Sequence, residues 1–224
     1  MMAQFSSQKG RPIAIFGGTF DPIHSGHLTV AHAAMQRLNL DAIYFVASGN
    51  PPHKPKTRPA AFVHRYAMVA LACSGHRGYI ASLAEAPDPE GADVCYSLDT
   101  VKDFRREYAG VHLHFIVGAD SFLLLPTWHR HEQLLEACDF VVANRPGFQM
   151  ERLVRGIPPR QLAKSISTNP NIIALRKSSV HLLPTVESNI SSSDVRRRVR
   201  QGNSIGGLVP KSVEDYIRKQ ALYR

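Results

Sequence analysis

The apolar run Ile13, Ala14, Ile15 and Phe16 passes directly into the string GGTFDPIHSGHL, residues 17 to 28. Four apolar residues closed by glycine have the length and character of a buried strand. Gly17 and Gly18 remove side chains where the chain turns and where another molecule can approach the backbone. From Leu28 to Leu38 the apolar residues recur with a helical period. The sequence thus predicts a strand, a turn and a helix, with His24 and His27 at the mouth of the helix. A helix N-terminus offers unsatisfied N–H groups and a partial positive charge, and two imidazoles add donors beside it. This is an arrangement for handling phosphate. It is neither of the common phosphate loops, because GxxxxGKS/T and GxGxxG are both absent.

The same alternation continues along the chain. Candidate strands fall at 12–17, 42–47, 78–82, 112–118, 139–143 and 179–183. Candidate helices fall at 26–38, 60–73, 96–108, 129–137, 192–201 and 210–221. Strands alternating with helices imply an α/β fold: a Rossmann-like, doubly wound parallel sheet covered on both faces, ending in C-terminal helices. Ligands of such sheets bind outside the carboxyl ends of the strands. The His24–His27 segment and Gly118-Ala119-Asp120 each follow a predicted strand, so both should face one crevice. The stretch 144–178, with Pro146, Gly147, Pro158, Pro159 and Pro170, is expected to hold loops and short helices. Residues 1–10 lack the apolar core of a signal peptide and are expected to be a mobile tail, leaving 11–224 as one domain.

Bulk properties narrow the classes. A chain of 224 residues with 44% hydrophobic and 20% charged residues can bury a full core. No apolar run approaches the roughly 18 residues needed to span a bilayer, so no membrane partner is expected. Cys73, Cys95 and Cys138 are scattered and odd in number, which favours a reducing, cytoplasmic setting over a disulfide framework or a zinc knuckle. A net charge of +9 favours anionic ligands, nucleotides and nucleic acid alike.

Several motifs are ambiguous taken singly. The spacing of His24 and His27 suits a metal, but no third ligand follows and HExxH is absent. Asn50-Pro51-Pro52-His53-Lys54 alone is a proline-rich loop. Ser192 and Ser193 precede a basic helix and offer it a cap. Arg196 lies one turn beyond Ser192, among the further arginines Arg197, Arg198 and Arg200. Asp120 suits a ribose hydroxyl or a helix cap equally well. Trp128, the lone tryptophan, suits a core.

GGTFDPIHSGHL resembles the HxGH signature of the nucleotidyltransferase superfamily, in the form carried by bacterial nicotinate-mononucleotide adenylyltransferases. Ile190-Ser191-Ser192-Ser193-Asp194-Val195-Arg196 resembles the superfamily's second signature, a Ser-rich turn opening a basic helix. PPHK, Gly118-Ala119-Asp120-Ser121-Phe122, Leu125-Pro126-Thr127-Trp128-His129 and Tyr96-Ser97-Leu98-Asp99-Thr100 extend the likeness over nearly the whole chain. The last two separate it from the phosphopantetheine adenylyltransferases. Two departures stand out: Ser97 replaces the usual Thr and keeps its hydroxyl, and Ala47-Ser48-Gly49-Asn50 lacks the further Asn or Gln common before PPHK.

The resemblance implies adenylyl transfer from ATP to nicotinate mononucleotide, giving deamido-NAD and pyrophosphate. It implies ATP contacts from Gly17, Gly18, Thr19, Phe20, His24, His27, Gly118, Asp120, Ser192, Ser193 and Arg196. His53, Lys54, Ser97, Trp128 and His129 would hold the mononucleotide. His24, His27, Lys54 and Arg196 would be catalytic, with Mg²⁺ carried by the ATP phosphates and no protein metal ligand. The alternatives are another phosphorylated acceptor, such as nicotinamide mononucleotide or phosphopantetheine, and a non-enzymatic nucleic-acid binder. The lack of any recognisable binding module opposes the last, so nucleic acid is not an expected partner. A homo-oligomer stays open.

Overall fold

In the computed structural model the described residues are 10–49, 59–88, 94–143, 150–165, 167–183 and 190–224. Most of the expected tail, residues 1–9, lies outside them. Among the described residues seven strands form one sheet: β1 (Ile13–Gly18), β2 (Ala42–Ala47), β3 (Tyr79–Ser82), β4 (Leu113–Gly118), β5 (Asp139–Ala143), β6 (Ile172–Ala174) and β7 (Ser179–Leu183). Their order across the sheet is β3-β2-β1-β4-β5-β7-β6. Every neighbouring pair is parallel except β6 with β7.

The near-continuous apolar runs of β1, β2 and β4 follow from burial on both faces. Successive strand side chains point to opposite sides, and two cores result. On one side Ile13, Ile15, Phe115, Val117 and Phe140 pack under α3 (Ser97–Glu107) and α5 (His131–Ala137). On the other, Ala14, Phe16, Ile116 and Val141 meet α1 (Ser25–Arg37), α2 (Phe62–Cys73), α7 (Ser192–Arg200) and α8 (Lys211–Lys219). The short helices α4 (Ala119–Leu123) and α6 (Met150–Arg155) complete the set. The expected α/β architecture is thus present, with its C-terminal helices.

Three expectations need correction. Gly17 and Gly18 do not turn the chain; they are the last two residues of β1. A Cβ on Gly17 would come within 3.0 Å of the Phe115 ring, and one on Gly18 within 3.2 Å of the Phe20 ring. Aromatic packing against the strand end, not chain reversal, requires them. The stretch 144–178 holds β6 as well as loops and short helices; this strand of three residues lies at the sheet edge, paired only with β7. The cap of α7 is Ser191, whose hydroxyl accepts from the Asp194 N–H at 3.1 Å, while Ser192 and Ser193 already lie in the first turn.

The strand order reverses direction between β1 and β4. Connections leaving these two strands run to opposite faces, which opens a crevice at their carboxyl ends. Residues 19–24 follow β1 there, and Ala119 and Asp120 follow β4.

Candidate active site

His24 is the N-cap residue of α1 and is buried, with 7% of its surface exposed. Its main-chain N–H donates to Nδ1 of His27 at 3.1 Å. An imidazole nitrogen that accepts carries no proton, so neutral His27 holds its proton on Nε2 and is a donor there. The two rings stack, with centroids 3.6 Å apart. Phe20 and Phe16 set their rings steeply against His27, at 5.1 and 6.0 Å. Burial among these rings, and then the neighbouring His24, hold the His27 pKa well below its ordinary value of 6.5. His27 is therefore a neutral N–H donor at the start of a 13-residue helix. The Phe20 side chain is itself buried in the core, and supports His27 from below.

The loop from Thr19 to His24 is held from all sides. Buried Arg65, on α2, donates to the carbonyls of Ala60 (2.9 Å), Thr19 (2.8 Å) and Gly49 (3.4 Å). One guanidinium thereby ties together the ends of β1 and β2. Asp21 accepts from the Ala60 N–H at 3.1 Å and from the Tyr223 hydroxyl at 2.8 Å. Burial, then the Asp21 charge, raise the Tyr223 pKa, which keeps that hydroxyl protonated and donating. Ser192 donates to the Pro22 carbonyl at 2.9 Å. Arg196 donates to the Asp21 carbonyl at 2.6 Å and to the Ser193 hydroxyl at 3.3 Å. The Ser-rich turn and its helix therefore touch the loop that leads into His24, at Asp21 and Pro22.

The neighbouring arginines are placed differently. Arg197 and Arg198 both pair with Asp194, Arg198 at 3.1 Å, and are exposed on the outer face of α7.

Across the crevice, Gly118 ends β4 and Asp120 lies one residue into α4; both are exposed. A Cβ on Gly118 would meet no atom within 4 Å. The protein leaves that space open. The third wall joins two segments distant in sequence. The Tyr96 ring stacks on His129, with centroids 4.1 Å apart and planes inclined by 28°. Ser97 opens α3 beside Tyr96, and half-buried Trp128 stands edge-to-face on Phe115 at 6.3 Å. The remaining two sequence candidates, His53 and Lys54, lie outside the described residues.

Sequence reading missed Asp21, Arg65 and Tyr223. Arg65 had one signal: it is the only charged side chain, histidine aside, in the helix FVHRYAMVALAC. A lone guanidinium in an apolar helix needs buried acceptors. Tyr223 had none.

A parallel α/β sheet with a histidine pair and an arginine converging at its switch point defines a class of nucleotide-handling proteins. The family model described as cytidylyltransferase-like matches residues 15–198. A probable nicotinate-nucleotide adenylyltransferase of Moorella thermoacetica is 40% identical over 95% of this chain and 91% of its own. Another so described, from Thermoanaerobacter sp., is 41% identical over 95% of this chain and 94% of its own. The chain belongs to the cytidylyltransferase-like family, among its nicotinate-nucleotide adenylyltransferases. Its fold is shared by a nicotinic acid mononucleotide adenylyltransferase of Plasmodium falciparum solved with NaAD, with a TM-score of 0.68 and 22% identity over 95% of this chain and 97% of the other.

Proposed function

We infer that this enzyme transfers the adenylyl group of ATP to nicotinate mononucleotide, releasing pyrophosphate and forming deamido-NAD for NAD synthesis. The observation that carries the reading is the contact between Arg196 and the loop that leads into His24 and His27, at the carboxyl end of β1. The names of the full-length relatives support the choice of acceptor.

In this reading a phosphate oxygen of the mononucleotide attacks the α-phosphorus of ATP in line. The new P–O bond forms as the bond to pyrophosphate breaks. A phosphate is already an adequate nucleophile, so no general base is needed, and catalysis is alignment plus charge stabilisation. His27 donates from Nε2 to the α-phosphate without changing its protonation state. His24, Arg196 and Lys54 balance the charge that builds on the leaving pyrophosphate. Gly17, Gly18, Thr19, Ser192 and Ser193 present backbone or hydroxyl donors to the nucleotide. Asp120 takes the ATP ribose across the open space at Gly118. Ser97, Trp128, His129 and His53 hold the mononucleotide.

Asp21 has its carboxylate engaged by Ala60 and Tyr223, so it is committed to the loop rather than to an ion. This suits a Mg²⁺ held by triphosphate oxygens and water, which when bound supplies charge neutralisation. We read residues 11–224 as one catalytic unit. Cys73, Cys95 and Cys138 are scattered free thiols, which supports the reading of a reducing, cytoplasmic setting.

The test is direct. The protein is mixed with ATP, Mg²⁺ and either nicotinate or nicotinamide mononucleotide, and pyrophosphate is measured. Release with nicotinate mononucleotide is expected; release only with another acceptor would reject the assignment.

A further inference from the structure

The strand register gathers a second group of histidines far from the crevice. His114 on β4 faces Asp139, the first residue of β5. On the next strand, β7, His181 pairs with Val141, two residues further along β5. His114 and His181 alternate with Leu113, Phe115, Val180 and Leu182 of the first core, and Asp139 precedes Phe140 of that core. All three polar side chains thus share the other face of the sheet. His112, two residues before His114, joins them from just outside the strand. Because β4, β5 and β7 are parallel, this group sits near their amino ends. Gly118 lies four residue steps along β4 from His114, about 13 Å of strand.

The chemistry of the group is specific. His112 Nε2 lies 2.7 Å from Asp139 Oδ2, and His181 Nε2 lies 3.6 Å from the same oxygen. The other oxygen, Oδ1, accepts from the Ser179 N–H at 2.7 Å, which fixes the orientation of the carboxylate. His114 is 4% exposed, and its Nδ1 is buried without a hydrogen-bond partner. A buried nitrogen left in that state costs its full desolvation, which a hydrogen-bond network around Asp139 does not explain. One ligand atom from each of His112, His114 and Asp139 lies within 4.8 Å of the other two.

We propose that His112, His114, Asp139 and His181 form a divalent transition-metal site of the zinc type, distinct from the nucleotide crevice. Three imidazole nitrogens and one carboxylate oxygen suit zinc and disfavour magnesium, which prefers oxygen ligands. Ligands about 2.1 Å from a tetrahedral ion stand about 3.4 Å from one another. The distances from His112 and His181 to Asp139 Oδ2, 2.7 and 3.6 Å, bracket that value, and the exposed His112 ring has room to adjust. The Ser179 hydroxyl, 2.7 Å from His181 Nε2, would give way to the ion, while its N–H would continue to orient Asp139. The ion would clasp β4, β5 and β7 at the end of the sheet opposite the chemistry.

The untagged full chain, stripped with a chelator, is titrated with Zn²⁺ against a chromogenic chelator, and with Co²⁺ while visible absorption is recorded. One equivalent of Zn²⁺ is expected, with Co²⁺ bands of a low-coordinate site and an unfolding midpoint that rises with Zn²⁺. His112→Ala, at an exposed position, should weaken uptake at least about tenfold. The double variant His112→Ala/His181→Ala should abolish it, and His76→Ala should leave it unchanged. Pyrophosphate release by His112→Ala should match the parent enzyme. Absence of stoichiometric uptake in the parent, survival of uptake in the double variant, or equal loss in His76→Ala would each overturn the proposal. None of the metal-uptake readouts requires the adenylyl-transfer reading to hold.

Discussion

Arg196 donates to the main-chain carbonyl of Asp21 at 2.6 Å, although 175 positions separate the two residues. The same guanidinium stands 3.6 Å from the Asp21 carboxylate. Its head is thus anchored against the loop that leads to His24, and a planar fork held this way can offer its remaining N–H groups to phosphate oxygens. Arg198 has no such anchor and spends its charge on Asp194.

These two placements predict unequal losses. Arg196→Ala should reduce kcat/KM for ATP by about a hundredfold or more, the scale of one preorganised charged donor. Arg198→Ala should stay within a few-fold. Steady-state kinetics of both variants decide it, and equal losses would mean that the helix acts as a diffuse basic surface.

His27→Ala should lower kcat by about a hundredfold or more while KM for ATP changes little, as the proposed use of this donor in the transition state requires.

His27 also sets a pH dependence. Its pKa in the folded protein lies well below 6.5. Between those two values the unfolded chain binds a proton that the folded chain does not, so stability rises with pH and is complete above about 6.5. Urea unfolding across this window should show the parent protein losing stability, relative to His27→Gln, as pH falls. A difference that is constant with pH would refute the neutral, buried imidazole.

Two glycines should behave in opposite ways. A Cβ on Gly118 meets nothing within 4 Å, so Gly118→Ala should keep stability within about 0.5 kcal/mol yet raise KM for ATP several-fold. A Cβ on Gly49 would lie 2.1 Å from the Glu85 carbonyl oxygen. Gly49→Ala should cost about 2 kcal/mol or more of stability. Thermal melts beside ATP saturation curves separate the two effects.

In the proposed function, acceptor choice falls to the wall formed by Tyr96, Ser97, Trp128 and His129. Donors converging on a ring carboxylate would face the NH₂ of an amide, and mismatched buried polar groups discriminate strongly. A preference for nicotinate mononucleotide of at least about a hundredfold in kcat/KM, or about 3 kcal/mol, is expected. Trp128→Ala should raise KM for the mononucleotide and leave KM for ATP nearly unchanged. Comparable efficiency with both mononucleotides would show a pocket built for something other than the carboxylate.

The sequence makes the sheet legible where apolar runs are long. β1, β2 and β4 announce themselves because both of their faces are buried. β6 does not, because three residues at an edge carry too little periodicity. His24, His27 and Arg196 are legible as local motifs beside helix starts. Arg65 shows only as a lone charge in an apolar helix and Tyr223 not at all, because their partners are carbonyls and a carboxylate that only the folded chain brings near. The row of His112, His114, Asp139 and His181 depends wholly on register, which no local pattern encodes.

The bond from the Tyr223 hydroxyl to Asp21 spans 202 positions. A polypeptide still being synthesised cannot make it until residue 223 has left the ribosome's exit tunnel. The loop that leads into His24 is translated well before the residue that supplies this donor. A product that stops before residue 223 lacks that donor to Asp21.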